Sequence, residues 1–510
     1  MVAKIFSMGL FGMEAFPVEV EADLSAGLPA FEVVGLPDAA VRESRDRVRS
    51  AVKNGGYDFP VSRITMNLAP ADKRKEGSLY DLPLFVSLLQ ASGQIHSCSP
   101  KAVFIGELSL TGDLRPVRGV LPMLLKAAEL GFEQAYLPFE NAAEASVVKG
   151  IQTYAVKNTA QLLRHLEGRE SLEPVPFSLP PTETQNDFLD FADVKEQEEA
   201  KRALEIAAAG GHNLILIGPP GSGKSMLAKR LPSILPDMSF EEAIETTQIY
   251  SVAGLLESAQ PLVCRRPFRA PHHTVSTAGL SGGGSIPRPG EISLAHNGVL
   301  FLDELPEFSR ASMEILRQPM EDHTVTISRV HGSIRYPCSM MVVAAMNPCP
   351  CGYFGHPTRP CTCTPRSVNQ YLAKISGPLL DRLDLHVEVP AVEFSSLAGS
   401  EKAESSADIR ERVQAARRIQ QERFSGTEIF ANAGIPASLL KETCPITPAA
   451  QNVLERAFEQ FSFSARTYDR VLKVARTIAD LAQSREIDVP HIAEAIQYRT
   501  LDRKYWLREL

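Results

Sequence analysis

The strongest constraint on the fold of this chain is a glycine-rich octapeptide, Gly-Pro-Pro-Gly-Ser-Gly-Lys-Ser, at residues 218–225. The aliphatic run 214–217 precedes it and predicts a strand, and residues 225–231 predict a helix. A strand, a glycine-rich turn and a helix N-terminus together direct several backbone N–H groups at one anion. The alternative is a chance glycine turn, but every fixed position of the motif is filled. The chain is therefore predicted to bind and hydrolyse a nucleoside triphosphate.

A second hydrophobic run, Val-Leu-Phe-Leu at residues 299–302, ends in Asp303 and Glu304 and resembles a Walker B motif. We expect Asp303 to hold Mg²⁺ through water and Glu304 to orient or deprotonate the attacking water. The alternative is a buried strand that ends in exposed acids. Lys224 is expected to reach the β- and γ-phosphates, and the Ser225 hydroxyl to bind Mg²⁺. The predicted nucleotide-binding residues are Gly218, Pro219, Pro220, Gly221, Ser222, Gly223, Lys224, Ser225 and Asp303.

Three further polar residues follow in an order that indicates one class of ATPase. Asn347 ends a predicted strand at 340–346 and resembles sensor 1. Arg382, in Ser-Gly-Pro-Leu-Leu-Asp-Arg-Leu-Asp, resembles an arginine finger that reaches the γ-phosphate of the next subunit. Arg466, at the start of a lid helix, resembles sensor 2. Alone, an Asn-Pro pair is more often just a turn, and each arginine is more often part of a surface ion pair. Their order along the chain, however, is that of AAA+ proteins.

Two additions to this pattern carry basic residues. Residues 265–291 form an insert that also contains His272 and His273, and residues 324–335 predict a β-hairpin that turns near His331 and Gly332. They resemble the helix-2 insert and pre-sensor-1 hairpin of the MCM and magnesium-chelatase branch. Contact with DNA phosphates is one interpretation, and a regulatory or assembly role in a motor for a protein client is the other. The candidate DNA contacts are Arg265, Arg266, Arg269, Arg329 and Arg335.

Four cysteines lie within fifteen residues, as two Cys-x-Cys pairs. Four thiolates suit tetrahedral Zn²⁺ in a structural site. Free reduced thiols and disulfides are the alternatives, and the second is disfavoured in the cytoplasm. The predicted zinc ligands are Cys349, Cys351, Cys361 and Cys363.

Length and composition set the domain organisation. With 510 residues the chain has room for about three domains. The net charge of −8 argues against a surface coated with basic residues, but it leaves DNA binding inside a channel open. We find no signal peptide and no apolar run of membrane-spanning length, so a cytoplasmic protein without membrane contact is expected. The predicted parts are an α+β N-terminal domain at 1–167, a linker at 168–187, an α/β core at 188–393, a linker at 394–407 and a helical lid at 408–510.

Local patterns predict several elements. An acid at Asp193 and a glutamate at Glu196 resemble a capping box, which would start a helix that runs to about residue 209. Thr447 and Ser464 are predicted to cap two helices of the lid. Further helices are expected at 39–54, 408–424 and 489–499, and strands at 31–34, 63–68 and 103–105.

Long stretches identify the chain as similar to the YifB/ComM family of magnesium-chelatase-like AAA+ ATPases. They are Gly-Leu-Pro-Asp-Ala-Ala-Val-Arg-Glu-Ser at 35–44, Arg-Lys-Glu-Gly-Ser-Leu-Tyr-Asp-Leu-Pro at 74–83, Gly-Glu-Leu-Ser-Leu-Thr-Gly at 106–112, Ala-Ala-Gly-Gly-His-Asn at 208–213 and Asn-Pro-Cys-Pro-Cys-Gly at 347–352. The resemblance implies a Lon-protease-like N-terminal domain and an ATP-dependent homo-hexamer. It also implies a helicase that threads single-stranded and branched DNA through its pore and promotes branch migration during recombination in natural transformation.

The Lon likeness raises proteolysis as a rival activity. Alignment with the Lon motif puts Leu79 at the place of the nucleophilic serine, and Leu121 or Met123 at the place of the catalytic lysine. Ser78 is one residue away and lacks an evident lysine partner. A displaced hydroxyl without a base in reach cannot be activated. We therefore expect a proteolytically inactive scaffold that serves DNA binding or assembly.

Overall fold

The computed structural model describes residues 2–178, 189–257, 260–284, 287–329, 332–391, 403–461 and 463–506. The chain divides into two compact units. The first contains residues 1–183 together with 240–264 and 328–336, and the second contains 184–239, 265–327 and 337–510. The residues predicted as a separate lid thus fall in the same unit as the phosphate-binding loop. The predicted linkers overlap residues 179–188 and 392–402, which lie outside the described residues.

The first unit is built on a mixed sheet of seven strands in the order β3-β4-β2-β1-β5-β8-β9, with a short β6-β7 ladder beside it. β1 pairs with β2, and β2 with β4, in antiparallel register, whereas the other pairs of the large sheet are parallel. The predicted strands at 31–34, 63–68 and 103–105 are confirmed to within a residue, but the long β1–β2 hairpin was not predicted. The strands are β1 Val2–Phe11, β2 Glu14–Ser25, β3 Ala30–Val34, β4 Arg63–Ala69, β5 Ala102–Phe104, β6 Glu107–Leu108, β7 Leu114–Arg115, β8 Gln134–Pro138 and β9 Gln152–Val156.

Helices cover this sheet. The predicted helix at 39–54 is confirmed, and Asp38 caps it by accepting a hydrogen bond from the backbone N–H of Val41. The second helix is buried along almost its whole length because it lies between the sheet and the first helix. The five helices of residues 2–178 are α1 Ala39–Asn54, α2 Asp81–Ala91, α3 Val120–Glu129, α4 Ala142–Ala145 and α5 Thr159–Leu166.

The second unit contains a five-stranded parallel sheet in the order β11-β14-β17-β10-β18. Its three central strands are buried at every residue, which explains their continuous aliphatic sequences. Two short pairs, β12-β13 and β15-β16, lie outside the sheet, and residues 328–336 of the second pair are assigned to the first unit. The predicted hairpin and the strands before residues 218, 303 and 347 are confirmed. The strands are β10 Leu214–Ile217, β11 Phe268–Arg269, β12 Gly282–Gly283, β13 Arg288–Pro289, β14 Val299–Leu302, β15 Thr324–Arg329, β16 Gly332–Pro337, β17 Met341–Met346 and β18 Leu385–Glu388.

The predicted capping box at Asp193 is wrong. The helix begins at Glu198, and its N-cap is Gln197, whose φ of 64° is left-handed. Asp193 instead accepts a hydrogen bond from the guanidinium of Arg230 at 3.2 Å, which is a tertiary contact that no local pattern shows. The helices of residues 189–391 are α6 Glu198–Gly210, α7 Lys224–Arg230, α8 Phe240–Ala253, α9 Thr277–Ser281, α10 Glu291–Leu294, α11 Arg310–Ile315, α12 Pro319–Asp322, α13 Pro365–Leu372 and α14 Gly377–Leu380.

The C-terminal part is helical, as predicted. Ser464 caps its helix by accepting from the N–H of Thr467, and the Thr447 hydroxyl accepts from the N–H of Ala450. Among the described residues, no helix combines the length and the apolar composition that crossing a bilayer requires. The helices are α15 Ser406–Arg423, α16 Leu440–Thr443, α17 Pro448–Phe461, α18 Ala465–Leu481, α19 Val489–Gln497 and α20 Leu501–Tyr505.

Candidate nucleotide-binding site

The glycine-rich loop joins the buried strand β10 to helix α7, as its sequence predicts. Gly218 approaches the neighbouring backbone closely, and a Cβ there would lie 2.1 Å from the carbonyl oxygen of Val389. Gly223, with a φ of 89°, is the left-handed residue from which the helix starts. The loop therefore brings the first N–H groups of α7 to one point, which is the geometry that binds an anion.

Lys224 is the central cation of the site and is only 8% exposed. Its ammonium group donates to the carbonyl oxygens of Gly218 and Pro219, each at 2.8 Å, and to the Oδ1 atom of Asn347 at 3.2 Å. Burial lowers the pKa of Lys224 to about 8, and the charge of Asp303 opposes this shift only in part. The lysine is thus a partly desolvated positive charge that a phosphate group would stabilise.

The two acids after β14 lie beside this loop. Asp303 accepts a hydrogen bond from the Ser225 hydroxyl at 2.7 Å. Its other oxygen accepts from the backbone N–H of Glu304 at 2.9 Å. A hydroxyl and a carboxylate are the hard oxygen donors that Mg²⁺ prefers, so this pair fits the ion.

The predicted groups converge on one cavity of about 420 Å³, a volume typical of small-molecule sites. β10, β14 and β17 are adjacent in the parallel sheet, and their carboxyl ends meet at this edge. The cavity brings together the phosphate loop, both acids and Asn347. Its lining residues are Pro220, Gly221, Gly223, Lys224, Ser225, Met226, Asp303, Glu304, Met346 and Asn347.

The chain is similar to known proteins along nearly its whole length. Residues 190–397 match the family described as magnesium chelatase, subunit ChlI. Residues 20–141 match subunit ChlI of Mg-chelatase, and residues 403–499 match the C-terminal part of magnesium chelatase subunit ChlI. Competence protein ComM of Haemophilus influenzae is 43% identical over 511 residues, which cover 98% of each chain. The uncharacterized protein YifB of Escherichia coli is 43% identical over 503 residues, covering 98% of this chain and 97% of YifB.

The chain belongs to the YifB/ComM family of magnesium-chelatase-like AAA+ proteins. The family predicted from the sequence is confirmed, and membership implies ATPase chemistry with ATP and Mg²⁺. A shorter similarity, 31% identity over 157 residues, connects the chain with Lon protease 2 of Bacillus subtilis. It covers 28% of this chain, so the Lon-like fold of the first unit stays a prediction.

Arg382 and Arg466, predicted as the arginine finger and sensor 2, are not among the residues that line the cavity. Arg382 is 7% exposed and held within its own chain by the carboxylate of Glu321 at 2.6 Å and the carbonyl oxygen of Arg317 at 3.1 Å. Arg466 lies in the first turn of α18 and is exposed. Neither residue lines the cavity. Their roles as finger and sensor 2 therefore stay predictions.

A buried ionic network that sequence reasoning missed joins the parallel sheet to helix α18. Asp384, 6% exposed, pairs with Arg470 and lies 3.3 Å from the Nδ1 atom of His212. His212 also contacts the Thr477 hydroxyl through Nε2 at 2.8 Å. Burial alone would raise the pKa of Asp384, but Arg470 and His212 hold it well below its usual range. These residues are distant in sequence, so no local signal could have found the network.

The insert arginines are engaged within the protein. Arg266 donates to the backbone carbonyl oxygens of Pro236, Asn297 and Asp237, at 2.6, 2.8 and 3.1 Å. Its guanidinium ties these backbone segments together, and its assignment as a DNA contact stays a prediction. Arg269 forms a bidentate pair with Glu291 at 2.7 and 2.8 Å, and Arg265 is half-buried.

On the hairpin, the side chain of Arg329 lies outside the described residues, as does His331. Arg335 is exposed, whereas Ile334 beside it is buried, since side chains alternate along a strand. Ile334 packs on the turn between β1 and β2, where a Cβ at Gly12 would lie 2.3 Å from its Cγ2 atom. The hairpin therefore presents Arg335 on its solvent-facing side.

The four clustered cysteines form the group that we call the cysteine cluster. Their sulfur atoms all lie within 4.8 Å of one another, and none forms a disulfide. The Sγ–Sγ distances among Cys349, Cys351 and Cys361 are 3.4, 3.5 and 3.7 Å. Tetrahedral zinc with bonds of about 2.3 Å requires sulfur atoms about 3.8 Å apart, so the cluster fits the ion. Gly352 packs against the phosphate loop, and a Cβ there would lie 2.4 Å from the Cδ atom of Pro220.

In the first unit, the residues at the places of the Lon dyad do not form one. Ser78 donates a hydrogen bond to the carboxylate of Glu107. Leu121 and Met123 are fully buried in α3, and Leu79 is partly buried against the core. The proteolytically inactive scaffold stays a prediction.

Proposed function

We propose that the chain is a hexameric ATPase motor of the ComM type that acts on DNA. The observation that carries the ATPase is the convergence of Lys224, Asp303, Glu304 and Asn347 on one cavity. In this proposal ATP lies along the glycine-rich loop, with its phosphates at the N-terminus of α7 and beside Lys224.

Hydrolysis needs a water molecule, a base and stabilisation of the charge on the transferred phosphoryl group. Glu304 takes the proton as the water oxygen bonds to the γ-phosphorus, and the bond to the bridging oxygen of ADP breaks. Asn347 orients the water or the γ-phosphate. Ser225 and Asp303 would hold Mg²⁺, which neutralises charge on the β- and γ-phosphate oxygens when it is bound.

Arg382 completes the site of the neighbouring subunit in this proposal. Its ion pair with Glu321 then has to open, since the guanidinium is engaged within its own chain. Arg466, exposed at the first turn of α18, would approach the phosphates when the helices after residue 406 move toward the loop.

The DNA substrate is supported by the near full-length similarity to a protein named for competence. Branch migration on single-stranded and branched DNA threaded through a hexameric pore is the activity that we propose. Arg335 is the leading phosphate contact because it is exposed on the hairpin. Arg265 and Arg329 belong to the candidate set, and Arg266 and Arg269 join it if their contacts within the protein open.

The cysteine cluster is proposed to hold one structural Zn²⁺. Four sulfur ligands leave no open coordination position, so the ion has no direct part in hydrolysis. Its role would be to fix the loop that follows Asn347 and supports the phosphate loop through Gly352 and Pro220.

A second candidate is a magnesium-chelatase-like motor that drives a protein client. The internal contacts of Arg266 and the pairing of Arg269 favour it, because they remove two of the five predicted DNA contacts from easy reach. The family model that matches residues 190–397 is also described as magnesium chelatase.

One experiment separates the two candidates. ATPase rates are measured with no DNA, with single-stranded DNA and with a branched junction, over a salt series. For the DNA motor we expect stimulation that falls steeply with salt and depends little on sequence. Arg335→Ala should weaken DNA binding and reduce the salt slope by about one. Arg418→Ala, an exposed arginine on α15, is the matched control. If neither DNA binds the ATP-loaded protein nor stimulates it, the client motor becomes the better account.

A further inference from the structure

The motif Gly-Gly-His-Asn at residues 210–213 has no part in the nucleotide chemistry described above. It joins helix α6 to strand β10, at the end of the strand opposite the phosphate loop. A Cβ at Gly210 would lie 2.3 Å from the Nε2 atom of His212 and 2.5 Å from the Oγ1 atom of Thr477, so only glycine fits there. Gly211 ends α6 with a left-handed φ of 71°. The two glycines therefore make a tight turn that brings the last two residues of the motif to the amino end of β10.

Asn213 uses this place to join the proposed arginine finger to the parallel sheet. Its Nδ2 atom donates to the carbonyl oxygen of Arg382 at 3.2 Å. Its Oδ1 atom accepts from the backbone N–H of Val342, in β17, at 2.7 Å. The backbone of Asn213 adds two bonds, because its N–H donates to the carboxylate of Asp384 at 3.2 Å and its carbonyl oxygen accepts from the N–H of Asp384 at 2.8 Å. One asparagine thus ties the backbone around Arg382 to two central strands.

The two residues after Arg382 are fixed from the other side. The carbonyl oxygen of Leu383 accepts from the guanidinium of Arg499 at 2.6 Å. The carboxylate of Asp384 pairs with Arg470. Leu383, Asp384 and Arg499 are all buried, and polar contacts in a low-dielectric interior are strong and restrict motion. The backbone of the finger segment is therefore held firmly in place.

The guanidinium of Arg382 is held in a different way. It pairs at 2.6 Å with Glu321, whose side chain is 50% exposed. An ion pair with a solvent-exposed partner contributes little free energy, so it opens more readily than the buried contacts of the backbone. The segment therefore combines a fixed backbone with a side-chain tip that can be released.

We propose that Asn213 is a positioning residue for Arg382, because it fixes the backbone from which the arginine reaches the ATP site of the neighbouring subunit. This inference rests on the shared site of the proposed function. Displacement of a group by 1 Å can reduce a rate by about 100-fold, so the base of a finger has to be rigid. β10 leads to the phosphate loop and β17 ends before Asn347, so the strands that build one ATP site also place the finger for the next.

The test begins with steady-state ATPase and ATP affinity of the full chain carrying Asn213→Asp. The aspartate places an acceptor oxygen where Asn213 has its donor, so it breaks the contact with the Arg382 carbonyl and keeps the one with Val342. We expect kcat to fall by about 10- to 100-fold. The ATP affinity should stay within about twofold, because the phosphate loop of the same chain is untouched.

Two further variants support this measurement. Asn54→Asp is the matched control, since the Nδ2 atom of Asn54 donates to the carbonyl oxygen of Leu110 at 2.7 Å on the exposed surface of the first unit. It should leave kcat unchanged. Asp384→Asn keeps an acceptor for the Asn213 N–H and loses the ionic contact with Arg470, so it should repeat the effect of Asn213→Asp. Circular dichroism checks that each variant is folded, and Asp384→Asn decides the test if Asn213→Asp is unfolded.

Mixed assemblies give the readout that a loss of stability would not produce. Asn213→Asp subunits are mixed with Lys224→Ala subunits, which lack the phosphate-binding lysine and keep an intact finger. Where the second subunit offers its Arg382 to the ATP site of the first, hydrolysis should return. The ATPase rate of the mixture should therefore exceed the mean of the two parent proteins. Arg382→Ala subunits, mixed in the same way, show whether the site is shared.

The outcomes separate this inference from the proposed function. If the mixture with Arg382→Ala regains activity and the mixture with Asn213→Asp does not, the shared site stands and the role of Asn213 is overturned. If neither mixture regains activity in verified mixed assemblies, the shared site fails and the inference fails with it. A normal kcat in folded Asn213→Asp protein, or an ATP affinity that falls together with kcat, would also overturn the role of Asn213.

Discussion

Replacement of Lys224 by alanine is the most informative perturbation of the nucleotide site. Lys224 is 8% exposed, and its ammonium is held by neutral oxygens of Gly218, Pro219 and Asn347. The pKa falls from 10.5 to about 8 through burial. At about 1.4 kcal/mol per pKa unit, the protein destabilises this charge by on the order of 3 kcal/mol before solvent screening is counted.

Phosphate oxygens remove that penalty when they reach the lysine. A hydrogen bond to a charged partner contributes about 1.5–3 kcal/mol, so the loss of Lys224 should weaken ATP binding by about 10- to 150-fold. Glu304→Gln should keep ATP affinity within about twofold and abolish turnover, because it changes the base and leaves the loop intact. Lys229→Ala, an exposed lysine on the same helix, is the control for general effects of charge.

The lowered pKa of Lys224 leads to a second prediction, which needs no mutation. Well below pH 8 the free lysine is protonated and its contribution to ATP binding is fully present. As the pH rises through about 8, the free protein loses the charge, and binding must take up a proton. ATP affinity should therefore fall about tenfold between pH 7 and pH 9. Lys224→Arg keeps its charge over this range and should show no such fall from this position.

Equilibrium titration with a fluorescent, non-hydrolysable ATP analogue in excess Mg²⁺ measures each of these affinities. Circular dichroism checks that every variant is folded. An affinity of Lys224→Ala within about twofold of the wild type would refute the reasoning, as it would place the phosphates away from the lysine. A pH dependence that is the same in the wild type and in Lys224→Arg would refute the role of the lowered pKa.

Three further predictions concern neighbouring features. The cysteine cluster should hold about one zinc ion per chain, as measured by elemental analysis. A chelator should weaken ATP binding, because the loop that carries the cluster packs on the phosphate loop. Protein without metal, in which all four thiols can be titrated, would contradict this prediction. Arg382→Ala and Lys224→Ala subunits should each be inactive alone and should regain ATPase activity when mixed. In a mixed pair, one subunit supplies the lysine and the other supplies the arginine. Verified mixed assemblies that stay inactive would exclude a shared site. Asp384→Ala should lower the free energy of unfolding, measured with denaturant, by about 3–5 kcal/mol because it leaves Arg470 unpaired. The double variant with Arg470→Ala should lose less than the sum of the two single losses. Strict additivity would show that the pair does not couple.

Much of the fold was predictable where local chemistry decides it. The strand at 214–217, the helix at 39–54 and the caps Ser464 and Thr447 follow from short-range patterns, and the structure has them. The capping box at Asp193 failed although its local pattern was equally good. There the side chain makes a contact with Arg230, 37 residues away, and the chain enters the helix through two left-handed residues. A local rule cannot weigh such a competing partner.

The candidate site was also predictable only in part from the sequence. The residues of the phosphate loop, the acidic pair and Asn347 were found by motif, and the structure brings them to one cavity. The contact of the His273 ring with the Glu304 carboxylate, at 3.4 Å, was not found, since it depends on a two-residue strand, β11, that no periodicity could reveal. The engagement of Arg266 by three carbonyl oxygens was also invisible, because any exposed basic residue looks the same in a sequence.

By itself the sequence determined the family, the phosphate-binding loop and the chemistry available at it, because these depend on residue type at fixed spacing along one strand–turn–helix. The tertiary structure decided which charged groups are already engaged: Lys224 by neutral oxygens, Arg382 by Glu321, and Glu304 by His273. The physical reason is that burial and pairing are properties of positions in space. A charge is reactive, restrained or structural according to neighbours that the chain brings together only when it folds.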